Sequence, residues 1–219
     1  MSDDEEEIAE NVKISLIGNS GVGKTCIITR YIQESFTENC TSTNGASYCS
    51  KNVKFEKLGK NLLLDIWDTA GQEKYKSLTK FFYKDAKVAI LVYDITRRDS
   101  FDNIKNYWYN QLKENGDSNL VLGVAGNKCD LYENEKVSEN EAREFAEEIG
   151  AIFELTSAAN NTGITELFQD VGNKYLDPNF QQIIKGVDDE KQQEGKAGNI
   201  VLDAKEEKKK EKTKKKGFC

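Results

Sequence analysis

Apolar and polar positions along this chain switch between two periods, and the switches mark the elements. Val12-Lys13-Ile14-Ser15-Leu16-Ile17 alternates as a strand does, and Cys26-Ile27-Ile28-Thr29-Arg30-Tyr31-Ile32 continues as a helix ending near 33. Residues 34–45 are polar and read as a loop. Strands are expected at about 47–58 and 61–67, joined at Gly59-Lys60, and so short a connection implies antiparallel pairing. Residues 69–80 read as a second loop. Strands near 87–93, 120–125 and 151–155 then alternate with helices near 100–114, 138–149 and 162–176, and Ser138 with Glu141 reads as a capping box. Such alternation predicts a mostly parallel sheet covered on both faces, with ligand at the C-terminal ends of the strands.

Four motifs fall at those strand ends. The first is Gly18-Asn19-Ser20-Gly21-Val22-Gly23-Lys24-Thr25, which satisfies the phosphate-loop pattern between a strand and a helix. Its glycines let the backbone aim N–H groups inward at phosphate oxygens, and the helix N-terminus adds a positive dipole end. Lys24 supplies a point charge for the outer phosphates and Thr25 a hydroxyl for Mg²⁺. Next comes Asp68-Thr69-Ala70-Gly71-Gln72-Glu73, after the strand Leu62 to Trp67. Asp68 is placed to hold Mg²⁺ through its water shell, Gly71 to bring an N–H to the γ-phosphate, and Gln72 to orient a water for in-line attack.

Asn127-Lys128-Cys129-Asp130 follows the apolar run Leu120 to Ala125. A carboxylate there accepts from both the ring N–H and the exocyclic amino group of guanine, a donor pair adenine lacks. Thr156-Ser157-Ala158 ends the next apolar segment, where a backbone N–H can meet the guanine O6. Small-molecule kinases also use phosphate loops, but Asn127-Lys128-Asp130 argues against ATP.

This order of motifs resembles the Ras superfamily of small GTPases, over about residues 10–178. Trp67 to Tyr75, Phe81-Phe82-Tyr83-Lys84-Asp85-Ala86 and Leu91-Val92-Tyr93-Asp94-Ile95-Thr96 make it most similar to a Rab GTPase. The resemblance implies an α/β fold, a P-loop NTPase small G domain with a six-stranded mostly parallel sheet, plus a disordered C-terminal tail. It divides the chain into an acidic extension at 1–10, the G domain at 11–178 and a hypervariable tail at 179–219. The implied function is a switch that binds GTP and GDP with Mg²⁺ and slowly hydrolyses GTP to GDP and phosphate. In that role it recruits effectors and regulates vesicle and membrane trafficking. A guanine-nucleotide-binding scaffold that does not cycle is the alternative. The implied nucleotide-binding residues are Ser20, Gly21, Val22, Gly23, Lys24, Thr25, Cys26, Phe36, Thr43, Gly71, Asn127, Lys128, Asp130, Ser157 and Ala158. Thr25, Thr43 and Asp68 would serve the metal, and Gln72 catalysis. For Phe36, packing against guanine and simple anchoring of its loop stand as equal readings.

Partner classes implied are an exchange factor, a GTPase-activating protein, a GDP-dissociation inhibitor or escort protein, and effectors. No arginine for the transition state is evident in the sequence, so the activating protein would supply one. Asn44, Tyr48, Trp67 and Phe82 would form the effector surface. Asn44 replaces a usual isoleucine, Cys40 a frequent tyrosine and Ala159 a frequent lysine, so partner choice is expected to have diverged while nucleotide chemistry is kept.

Composition sets bounds. The 219 residues are 37% hydrophobic and 32% charged, enough for one core in a polar shell, and no apolar run approaches a membrane span. The acidic start, Ser2-Asp3-Asp4-Glu5-Glu6-Glu7, does not read as a signal peptide. Five scattered cysteines and no histidine exclude zinc fingers and histidine general bases, and suit a reducing cytosol. A net charge of −7 disfavours specific nucleic-acid binding. Lys205 to Lys216 carries eight lysines just before Gly217-Phe218-Cys219. It reads either as a solvated tail or as a polybasic segment for anionic lipid. Prenylation of Cys219, joined to that segment, would place the chain peripherally on the cytoplasmic face of endomembranes.

Overall fold

The computed structural model describes residues 10–36, 46–69, 84–117 and 119–180. The chain divides into two units, Met1–Leu176 and Asp177–Cys219. In the second, the described residues are 177–180, where the Asn179 amide donates to the Asp177 carboxylate at 2.8 Å.

In the first unit the strands are β1 (Glu10–Ile17), β2 (Ala46–Phe55), β3 (Lys60–Thr69), β4 (Val88–Asp94), β5 (Val121–Asn127) and β6 (Ile152–Thr156). They form one six-stranded sheet in the order β2-β3-β1-β4-β5-β6. Only the β2–β3 pair is antiparallel, as the short connection requires. That connection is longer than the sequence suggests. β2 stops at Phe55, a 3-10 turn spans Glu56–Leu58, and Gly59 at φ 59° returns the chain into β3.

Among the described residues of this unit the helices are α1 (Lys24–Gln33), α2, α3 (Glu139–Glu148) and α4 (Ile164–Leu176). α2 runs through Arg98–Asn103, a π-helical turn at Ile104–Trp108, and Tyr109–Asn115. Periodicity predicts its span but not the π turn, since Phe101, Ile104, Trp108 and Leu112 stay buried across it. The capping box is half realised: the Ser138 hydroxyl accepts from the Glu141 amide at 3.3 Å. α4 begins two residues later than its pattern, because Ser157 and Thr162 first pair as an isolated bridge.

β4 explains the two-sided core. All seven of its residues are buried, as in a parallel strand with helices on both faces. Ala89, Leu91 and Tyr93 join Phe101, Ile104 and Trp108 of α2 and Phe145 of α3 in one cluster. Tyr31 of α1 stacks on Phe168 of α4 at 3.9 Å, which ties those two helices. Truncating a buried leucine such as Leu91 to alanine would cost about 2–5 kcal/mol. The rigid sheet carries β1, β3, β4, β5 and β6 to one edge, where the motif-bearing loops meet.

Candidate nucleotide site

The loop after β1 is held by its carbonyls. Lys24 Nζ donates to Gly18 O at 2.9 Å and Asn19 O at 3.0 Å. Arg97 Nη1 donates to Ser20 O at 3.1 Å, Lys128 Nζ to Gly21 O at 3.0 Å, and Asn127 Nδ2 to Val22 O at 2.7 Å. The Ile27 amide takes Gly23 O at 2.9 Å. Every carbonyl from Gly18 to Gly23 is therefore bound, by donors from α1 and from the ends of β4 and β5. Two glycines are sterically required. A Cβ on Gly18, at φ +153°, would lie 2.2 Å from Val92 O, and one on Gly23, at φ +97°, would lie 2.2 Å from Asn127 Nδ2. Trp108 Nε1 adds a bond to Asn19 Oδ1 at 2.9 Å.

Lys24 is buried beneath this loop at 5% exposure. Burial lowers its pKa to about 8, against the opposing pull of the Asp68 carboxylate. Thr25 Oγ1 donates to Asp68 Oδ2 at 2.7 Å, bringing the start of α1 to the end of β3. A hydroxyl and a carboxylate are hard oxygen donors of the kind Mg²⁺ accepts alongside phosphate oxygens and water, so the pair fits that ion. Val22 is buried, and Cys26, in the first turn of α1, is half-buried.

Asn127 and Lys128 connect the base motif to the loop. Besides reaching Val22, Asn127 accepts from Thr156 Oγ1 at 3.2 Å at the end of β6. Lys128, in the left-handed region at φ 66°, pairs with the buried Asp94 carboxylate at 2.5 Å. Asp94 Oδ1 in turn accepts from the Thr96 amide and hydroxyl at 2.9 and 2.7 Å. Asp130, in the first turn of a 3-10 segment over Cys129–Asn134, accepts from Ser157 Oγ at 2.5 Å. Ser157 and Ala158 are buried, and Arg30 Nε donates to Ala158 O at 2.8 Å.

Sequence reasoning missed Arg30, Asp94, Arg97 and Trp108. An aspartate ending an all-apolar strand was a usable signal for Asp94; nothing local marks the other three, whose partners in the site loops lie 77 to 129 positions away.

Phe36 is at the margin, 36% exposed, with Arg30 Cζ 5.8 Å from its ring. Tyr48 and Trp67 are cross-strand neighbours on β2 and β3 with ring centroids 5.4 Å apart. Tyr48 is 54% exposed and donates to Asp65 at 2.7 Å. Thr43, Asn44, Gly71, Gln72, Phe82 and Cys219 lie outside the described residues.

A glycine loop at the end of the first of several parallel strands, followed directly by a helix, defines a phosphate-loop nucleotide-binding domain. Comparison with known proteins narrows that class. The Ras family model matches residues 13–177. The chain is 45% identical over 170 residues to Ras-related protein Rab-31 of Homo sapiens, covering 76% of this chain and 85% of that protein. It is 41% identical over 163 residues to Ras-related protein Rab-22A of Homo sapiens, covering 74% and 82%. Ras-related protein RGP2 of Oryza sativa subsp. japonica is 42% identical over 159 residues, covering 73% and 72%. The chain belongs to the Ras family. It is a Rab-like small GTPase switch of membrane trafficking, which binds GTP and GDP with Mg²⁺ and hydrolyses GTP to GDP. Exchange factors, activating proteins, GDP-dissociation inhibitors and effectors are its regulator and partner classes. Among the described residues no helix is long and apolar enough to cross a membrane.

Proposed function

We propose that the four loops at the sheet edge act as one guanine-nucleotide site, with roles divided by chemistry. Ser20 to Thr25, with Cys26 behind them, cradle the phosphates. Lys24 neutralises the outer phosphates, and Thr25, Asp68 and Thr43 serve Mg²⁺. That ion, when bound, neutralises phosphate charge. Asn127 and Lys128 fix the base motif to the loop, Asp130 selects guanine, Ser157 orients Asp130, and Ala158 meets the O6 edge. Phe36 covers the base, Gly71 senses the γ-phosphate, and Gln72 orients the attacking water. The observation that carries this reading is the pair of bonds from Asn127 and Lys128 to Val22 and Gly21, which make base motif and phosphate loop one unit.

The chain is organised as an acidic extension at 1–10, a G domain at 11–178 and a tail at 179–219. Loss of the γ-phosphate releases Thr43 and Gly71 and so changes the surface that effectors read. That surface includes Asn44, Tyr48, Trp67 and Phe82, and the exposed Tyr48 beside Trp67 supports it. Geranylgeranylation of Cys219 with the lysine-rich segment 205–216 supplies the two signals of a peripheral anchor on the cytoplasmic face of endomembranes.

The test is made on one purified sample. Nucleotide released by denaturation is identified, and phosphate release is followed from γ-labelled GTP for the wild type, Gln72→Leu and Asp130→Ala. Guanine nucleotide, slow release abolished by the first substitution, and lost guanine preference in the second are expected. An adenine-loaded protein overturns the site assignment.

A further inference from the structure

Arg30 sits in the last turn of α1 and belongs to no motif, yet its guanidinium bonds three backbone carbonyls in two separate loops. Nε donates to Ala158 O at 2.8 Å and Nη2 to Ala159 O at 3.1 Å. Nη1 donates to Glu34 O at 2.8 Å. Its own carbonyl accepts from the Glu34 amide at 3.0 Å. Glu34 is held in the left-handed region at φ 56°, a conformation non-glycine residues keep only when their surroundings enforce it. Phe36, two residues on, lies beside the same guanidinium. On the other side, Ala158 follows Ser157, whose hydroxyl holds Asp130. A continuous chain of bonds thus runs from Glu34 through Arg30 to Ala158 and Ala159, and by the backbone to Ser157 and Asp130.

Arginine suits this position. Its planar fork offers several donors in fixed directions, whereas a lysine is a single point charge. The Ala158 carbonyl shares its peptide plane with the Ala159 N–H and the Ala159 carbonyl with the Asn160 N–H, so Arg30 pins the base loop on the C-terminal side of Ala158, while the Thr162 amide on Ser157 O at 3.1 Å pins the plane of the Ala158 N–H from the other side. We propose that Arg30 is a positioning residue through which the Glu34–Phe36 segment sets the grip of the base loop on the guanine O6. The proposal rests on the site reading above. A partner that pulls Glu34 away would withdraw one of the three bonds, loosen the base loop and speed nucleotide release without touching the phosphate loop.

The experiment uses the full chain loaded with Mg²⁺ and either GDP or 2-aminopurine riboside diphosphate, which keeps the 2-amino group for Asp130 and lacks O6 together with the ring N–H beside it. Dissociation is followed for the wild type, Arg30→Gln and Arg30→Lys. Arg30→Gln should release GDP about tenfold faster, the effect of losing charge-assisted bonds to the loop, with Arg30→Lys between it and the wild type. Release of the analogue should not change. Equal acceleration of both nucleotides would mean a general loosening of the fold and overturns the proposal, as would unchanged GDP release. A wild type that shows no preference for guanine nucleotide instead fails the underlying site reading.

Discussion

Gly23 and Asn127 share one small volume. The Asn127 amide that donates to Val22 O at 2.7 Å is also the group a Cβ on Gly23 would meet at 2.2 Å. The glycine is needed as much for its neighbour on β5 as for any phosphate.

Gly23→Ala should therefore do more than strain one residue. At φ +97° the methyl is disfavoured, and the amide must leave Val22 to make room. Nucleotide retained through purification should fall at least about tenfold, since a bond worth about 1 kcal/mol and the loop geometry go together. Gly59→Ala is the comparison, because at φ +59° a Cβ there meets nothing within 4 Å. It should lower stability by only about 1 kcal/mol and leave bound nucleotide intact. Equal nucleotide loss in both variants would contradict the shared-volume account.

Arg97 binds Ser20 O at 3.1 Å and is itself aimed by Asp99 at 2.7 Å, a contact that lowers the Asp99 pKa. Both side chains are substantially exposed, so the ion pair adds within about 0.5 kcal/mol to stability. Its effect should appear in the loop. Arg97→Gln and Asp99→Asn should both speed GDP release about two- to fivefold, with urea midpoints nearly unchanged. A variant that shifts the midpoint while leaving release alone would reverse this division.

The buried Lys24 gives a pH dependence of defined sign. Its folded pKa, about 8, lies below the ordinary 10.5, so burial disfavours its charged form. The unfolded chain binds the extra proton between those values, and stability gains with rising pH there. In nucleotide-stripped protein the penalty, on the order of 3 kcal/mol, is fully present below pH 8 and fades toward 10.5. Against Lys24→Met, which has no such titration, the wild type should thus gain relative stability between pH 7.5 and pH 9.5. Parallel urea curves for the two proteins at both pH values would refute it.

Tyr93 is wholly buried, and its hydroxyl makes no hydrogen bond among the described residues. Its ring nevertheless packs edge-on against Phe101 at 5.0 Å. Tyr93→Phe keeps the packing and removes a desolvated hydroxyl. Urea unfolding should show equal or higher stability, by up to about 1 kcal/mol. A loss beyond that would reveal a polar partner for the hydroxyl.

The nucleotide chemistry and the alternation of elements were legible in the chain's residues, because both are local. The phosphate-loop pattern, Asn127-Lys128-Asp130 and the strand periods are written within a few residues each, and a glycine or an apolar alternation keeps its meaning wherever the chain goes. Boundaries were legible to within a few residues; the end of β2, the start of α4 and the π turn in α2 escaped because a turn's hydrogen bonds, not its apolar spacing, decide them. Which donor takes which carbonyl is set by the folded chain. Arg30, in the last turn of α1, finds Ala158 across 128 positions, and Arg97 finds Ser20 across 77, once the sheet order has brought the loops after β1, β4 and β6 to one edge. Such partners are set by backbone geometry rather than residue type, since every residue offers the same carbonyl.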